Sequence, residues 1–390
     1  MPLRGLLRRR AARQPWTMQP TTLARAATAP DLPQAGPQWF GSVMGTGILA
    51  TLLHLHRELL PGAEIASRVL LVVAAALLLG LSAAFTRRCR TVPGAFGATV
   101  RDVGVAVTWG LVAMGVLGVG SATAVVLPAW VPGLTGFAWG IDLVLWVVGT
   151  TLGLVTAVGF LSVLVRHDIG APTLTWGLAV VPPVVSATSG AALALRTDGA
   201  WRAGLLVAAA LCFTIGLLLA GAIFAVGYHH HWRVAPLLPA AATTAWIPLG
   251  VVGQSTAAAQ GLVTAAGGGL GPWTGETLRA VANAYGLALV AFGAVLVGWA
   301  ALHTVRGFRA GMAFSPSWWG LVFPFGTLSL GAYQLAGGTG LGVLRGLAVV
   351  VCVALVGTWT LCALATGHAL LRGGRGTARG VARGQVVEAC

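Results

Sequence analysis

Ser317-Trp318-Trp319-Gly320-Leu321-Val322-Phe323-Pro324-Phe325-Gly326-Thr327-Leu328-Ser329-Leu330 is an apolar run with a proline in its middle. A segment this apolar reads as membrane-spanning. A proline inside a helix removes a backbone N–H and obstructs the carbonyl one turn back, so a kink is predicted at Pro324. Phe323 stands directly before it. Irregular backbone at membrane depth is tolerated only where it is buried in protein or lines a polar path, which makes Phe323-Pro324 the candidate working centre.

The rest of the chain is the same kind of material. Of its 390 residues 57% are hydrophobic and 8% charged, with a mean hydropathy of +0.85, a balance that excludes a soluble domain. The reading is an all-α polytopic membrane protein. Its 56 glycines suit closely packed helices, and its 15 tryptophans suit interfacial belts. The net charge of +15 comes from arginine alone. In a soluble protein that charge would suggest nucleic acid. Here the arginines fall in short loops, so membrane lipid is the expected partner and nucleic acid is not. The five cysteines have no CxxC spacing, and neither a disulfide, a metal site nor a cofactor is expected.

Spans of about 20 apolar residues are needed to cross the hydrocarbon. Ten can be placed, over 38–55, 69–86, 102–126, 137–165, 173–195, 202–227, 237–260, 279–302, 316–336 and 343–371. They predict a basic N-terminal tail over 1–36, a ten-helix transmembrane domain over 37–371 and a C-terminal tail over 372–390. With ten spans both termini share a side, and 18 of the 24 arginines fall on it. The positive-inside rule then makes both termini cytoplasmic, in a plasma (inner) membrane protein.

An internal repeat organises these spans. Trp39 precedes Gly45 by six residues, Trp109 precedes Gly115, Trp176 precedes Pro182 and Trp318 precedes Pro324 by the same interval. Trp246-Ile247-Pro248 is a shortened copy in span seven. The chain thus reads as five helical hairpins of about 70 residues, the odd-numbered helix of each broken near its middle at Gly45, Gly115, Pro182-Pro183, Pro248 or Pro324. The odd helices also carry neutral polar residues, including Ser42, Thr46, Thr108, Ser186, Thr188, Gln254, Ser255, Thr327 and Ser329. Even spans are closer to uniformly aliphatic. Five mildly polar helices inside a jacket of five others suggest a central path, lined by those residues.

No carboxylate lies deep in an odd helix, whereas cation paths and proton-coupled pumps normally carry one. An anion or neutral solute is therefore expected to pass. Asp142, near Trp139, reads as an interfacial charge or a member of a pair. His229-His230-His231 reads as a solvated loop, and His54 and His56 as lying at the opposite end. Proton-coupled secondary transport through Asp142 or His54 is the second reading. A membrane metal or redox protein, needing paired intramembrane histidines, is a remote third.

Trp318-Trp319-Gly320-Leu321-Val322-Phe323-Pro324 resembles the ninth-helix signature of the tellurite-resistance/dicarboxylate transporter family, which includes slow anion channels, malate permeases and sulfite efflux proteins. Phe325-Gly326-Thr327-Leu328-Ser329-Leu330-Gly331, Trp39 to Leu49 and Gly253-Gln254-Ser255 are similar to the sulfite-efflux and malate-permease branch. The resemblance implies five hairpins around a quasi-fivefold pore, commonly in a homotrimer, with Phe323 as the pore gate. It also implies small anionic solutes as substrates, C4-dicarboxylates first, then sulfite, tellurite and inorganic anions, and no enzymatic role. Phe325 stands where the sulfite-efflux branch commonly has a basic residue.

Overall fold

The prolines and glycines that punctuate the apolar runs decide where each helix begins. The computed structural model describes residues 34–267, 269–270 and 273–387, with 269–270, 273 and 373–387 as backbone alone. The arginines expected in the N-terminal tail lie outside these residues. Thirteen helices follow one another: α1 (Phe40–Leu55), α2 (Ala63–Thr91), α3 (Ala95–Arg101), α4 (Val103–Ala106), α5 (Trp109–Trp130), α6 (Thr135–Arg166), α7 (Gly177–Val180), α8 (Pro182–Ala194), α9 (Gly199–Arg233), α10 (Ile247–Ala266), α11 (Gly275–Arg309), α12 (Val322–Thr339) and α13 (Gly342–Val387). Among the described residues the only strand pairing is that of Gly269–Leu270 with Trp273–Thr274, between α10 and α11.

Among the described residues, seven segments are long and apolar enough to cross a membrane. They divide sharply by burial. In α2, α6, α9, α11 and α13 only 22–28% of the most apolar window is buried, against 78% in the α5 segment and 83% in the segment ending with α8. α1, α10 and α12 are shorter or more polar; α1 and α10 are mostly buried, and half of the residues of α12 are buried. All of α1 but its last residue is buried. The long exposed helices carry Leu79, Val155, Leu218, Val295 and Val350 outward, a surface suited to lipid and to nothing aqueous.

Packing follows the chain. α1 lies along α2, α5 along α6, α8 along α9, α10 along α11, and α12 along α13. The five enclosed helices also touch one another in cyclic order: α1 packs on α5, α5 on α8, α8 on α10, α10 on α12, and α12 on α1. Between apolar helices in lipid the hydrophobic effect gives no drive to associate, so close van der Waals contact must supply it, and small residues permit that contact. At the α10–α12 seam a Cβ on Gly331 would come within 2.6 Å of the Gly253 carbonyl, and one on Gly253 would overlap the Thr327 carbonyl. At the α1–α5 seam a Cβ on Gly47 would stand 2.9 Å from the Gly118 carbonyl.

The break expected at Pro182 interrupts span five between α7 and α8, whereas the other predicted breaks take a different form from a mid-helix kink. The irregular backbone lies at the N-terminal end, where short 3₁₀ turns over Pro37–Trp39, Leu174–Trp176, Pro239–Trp246 and Pro316–Leu321 lead into α1, α7, α10 and α12. Pro182 opens α8, Pro248 is the second residue of α10, and Pro324 is the third of α12. A first-turn proline gives up an N–H that has no intrahelical partner anyway, so no hydrogen bond is lost. Pro183, just after Pro182, shares that first turn. Helices α1 and α5 run through Gly45 and Gly115 uninterrupted. These glycines serve close approach instead: a Cβ on Gly45 would lie 2.8 Å from Val322 Cγ1, and one on Gly115 3.3 Å from Val43 Cβ.

These seams give a direct test. Gly253→Ala is expected to lower the thermal unfolding midpoint of the purified protein in detergent, since overpacking costs about 1–3 kcal/mol. Gly298→Ala on lipid-facing α11, where an added Cβ meets nothing within 4 Å, should leave the midpoint unchanged or slightly raised.

Candidate functional site

One small cavity is lined from α1, α5, α7, α10 and α12, together with Val181, which links α7 to α8. It measures about 20 Å³ and is lined by Met44, Leu111, Met114, Leu178, Val181, Ile247, Gly320, Phe323 and Pro324, with no polar side chain among them. A water needs roughly 10–15 Å³, so there is room for about one, and far less than a polyatomic anion requires.

The lining follows the repeat. Met44 immediately precedes Gly45, Met114 precedes Gly115, Val181 precedes Pro182, Ile247 precedes Pro248 and Phe323 precedes Pro324. The residue before each predicted break therefore faces the same space, four of them from helices α1, α5, α10 and α12 and Val181 from the link between α7 and α8. Sequence reasoning singled out Phe323 and passed over its four equivalents, although the shared position beside the break was visible. Phe323 is the largest of the five and is buried, and Gly250 on α10 faces its ring. A Cβ at Gly250 would lie 3.5 Å from Phe323 Cδ1 and Cε1.

Tryptophans fix the entrances to these helices. Trp109 donates its indole N–H to Thr99 Oγ1 (3.3 Å), Trp246 to Thr304 Oγ1 (2.8 Å) and Trp319 to Thr366 Oγ1 (3.2 Å). Phe325, at the position noted above for lacking a basic residue, stacks on Trp246 with ring centroids 4.5 Å apart. Its aromatic ring ties the starts of α10 and α12 together, a contact that a cationic side chain could make only through a cation–π geometry.

The neutral polar residues separate into three groups. Several meet the outer helices: Thr46 Oγ1 accepts from Trp359 on α13, Ser255 Oγ accepts from Tyr285 on α11, and Ser329 Oγ donates to the Ala348 carbonyl of α13. The Ser186 carbonyl accepts from Trp146 on α6, while its hydroxyl returns to the Pro182 carbonyl. Ser42 and Thr327 are buried and bond to backbone carbonyls within their own elements, at Trp39 and Pro324. Thr108 caps the start of α5 and donates to the Val105 carbonyl. Thr188 and Gln254 instead join two inner helices. Gln254 Nε2 donates to Thr188 Oγ1 (2.8 Å), which lies within 3.3 Å of the Gln254 carbonyl.

Charged groups near the ends of the bundle are paired. Asp142, only 2% exposed, faces Arg196 across 3.6 Å, and the guanidinium lies 5.4 Å from the Trp139 ring centroid. Desolvating both charges together is the arrangement that keeps a buried carboxylate tolerable. His54 Nε2 lies 3.2 Å from Arg57 Nη1. His231 and His303 each bond to a carbonyl of their own neighbourhood, those of Ala235 and Trp299.

Comparisons with known proteins fit this geometry. The family described as "Voltage-dependent anion channel" (SLAC1) matches residues 34–367. Sulfite efflux pumps SSU1 of Trichophyton rubrum and Arthroderma benhamiae are each 26% identical over 315 residues, covering 77% of this chain and 81% of theirs. That of Arthroderma otae is 26% identical over 314 residues. These are descriptions of membrane transport and not of an enzyme. With a match over most of its length and an all-helical, multi-pass architecture, this chain belongs to the voltage-dependent anion channel (SLAC1) family.

Proposed function

We propose that all ten predicted spans cross the membrane as five hairpins, and that α1, α5, α8, α10 and α12 surround a quasi-fivefold pore for small anions. The observation that carries this reading is the shared cavity to which the residue before each break contributes, one from each of the five repeats. The cyclic packing of the inner helices and the lipid-suited surfaces of the outer ones support it. Phe323 is the gate. Its ring, with Met44, Met114, Val181 and Ile247, closes the path to a space that an anion does not fit. Thr188 and Gln254 line the route beyond it, and both termini lie in the cytoplasm with the tails over 1–36 and 372–390. A homotrimer with one pore per subunit is the assembly.

Sulfite becomes the leading substrate on the strength of the relatives' names, with malate and other C4-dicarboxylates, tellurite and inorganic anions as further candidates. Neutral dipoles hold an anion weakly enough for it to leave, so flux rather than tight binding is the expected behaviour. Passive movement is favoured over proton coupling because Asp142 and His54, the carriers considered for a coupled cycle, are both engaged with arginines.

The test is anion flux into proteoliposomes holding wild type or Phe323→Ala, with sulfite, malate, nitrate and chloride. Removing the ring is expected to raise flux by about tenfold, which needs the barrier to fall by only about 1.4 kcal/mol. Unchanged flux with every anion would sink the gate.

A second measurement separates the mechanisms. Flux through the wild type should persist with equal pH on both sides, and a strict requirement for an imposed proton gradient would promote the coupled reading instead.

A further inference from the structure

The apolar ring fixes which face of each inner helix looks toward the shared space. Seven residues along an α-helix is 700°, only 20° short of two full turns, and about 10 Å farther along the axis. Counting seven from Met44, Met114, Val181, Ile247 and Phe323 gives Thr51, Ser121, Thr188, Gln254 and Leu330. Val181 and Ile247 already have right-handed helical backbone, so the count holds from the first residue. Four of the five positions carry a neutral hydrogen-bonding group, whereas none of the first five does.

Two observations independent of the counting support a second ring. Thr188 and Gln254 hydrogen-bond to each other across the α8–α10 seam, so two of the positions share one level. Gln254 is 3% exposed, yet its Oε1 has no hydrogen-bond partner. Buried amide oxygens are nearly always satisfied, and an exception calls for a reason. The Gln254 side chain is anchored at one end by Thr188 and leaves the other end of the amide unused.

Resting on the pore reading above, we infer that Thr51, Ser121, Thr188 and Gln254 form a hydrogen-bonding selectivity ring for oxyanions, with Gln254 as the specificity-determining residue. The amide suits this role in either orientation. With Nε2 on Thr188, the free Oε1 accepts from the O–H of a protonated oxyanion. Turned by half a rotation, Oε1 accepts from the Thr188 hydroxyl and both N–H groups face an unprotonated oxygen. A polyatomic oxyanion presents several oxygens to donors on different helices. Chloride presents one sphere and gains less from them. Sites built on hydrogen bonds discriminate most strongly against a ligand that cannot complete those bonds.

The experiment uses the Phe323→Ala background, in proteoliposomes, comparing sulfite with chloride. Gln254→Leu is expected to lower the sulfite-to-chloride flux ratio about tenfold, corresponding to about 1.4 kcal/mol. Thr188→Val should lower it less, and Gln254→Asn should retain part of it. An unchanged ratio in Gln254→Leu and Thr188→Val, with flux intact, would overturn the ring while leaving the gate standing. A variant that fails to fold is replaced by a labelling arm. A negatively charged thiol reagent should block Ser121→Cys and Thr51→Cys but not Gly298→Cys on the lipid-facing surface, and failure to block the first two would also overturn the ring. If Phe323→Ala itself gives wild-type flux while Ser121→Cys is still blocked, the gate is wrong and the ring survives. If neither variant responds, the pore reading falls.

Discussion

In hydrocarbon every backbone N–H and C=O must find its partner inside the protein, and this constraint shapes the whole chain. It makes the described spans helical and favours first turns for Pro182, Pro248 and Pro324, where no intrahelical bond is lost, while Pro128 lies inside α5 near its C-terminal end. The 3₁₀ turns at the entrances of α1, α7, α10 and α12 are accordingly largely enclosed by protein, whereas the one at Pro132–Leu134, at the end of the bundle before α6, is exposed. Trp246 and Trp319, at the entrances of α10 and α12, donate to threonines of α11 and α13 and so satisfy polar groups of two elements at once.

From that arrangement comes a division of labour between two sets of helices. The outer ones are long and aliphatic. The inner ones hold most of the buried hydroxyls and amides, and they meet through glycine. Membership of the anion channel family agrees with this division, since neutral dipoles on enclosed helices can accompany an anion without trapping it.

Much of this was legible in the sequence. Hydropathy placed the long helices, and the period of about 70 residues picked out α1, α5, α8, α10 and α12 as one set. Composition could not show which way a side chain turns. Ser255 and Ser329 are polar residues on inner helices, yet their hydroxyls bond to outer ones, at Tyr285 and the Ala348 carbonyl. Gly45 and Gly115 read as breaks because they stand six residues after a tryptophan, where other repeats have proline. In the fold they are contact points within uninterrupted helices, a distinction that spacing alone does not make. Met44, Met114, Val181 and Ile247 escaped notice because an apolar residue in an apolar helix carries no signal until its four counterparts are aligned with it.

The glycine seams carry one more implication. Where Gly331 meets Gly253 and Gly47 meets Gly118, backbone rests on backbone, and close-packed matter of this kind has little left to compress. Side chains can change rotamer in picoseconds to nanoseconds, whereas helices slide or tilt over microseconds to milliseconds. A bundle clamped at its seams behaves as a stiff collar. Its bore is set by main-chain contact, and the compliant parts are the side chains that project into it.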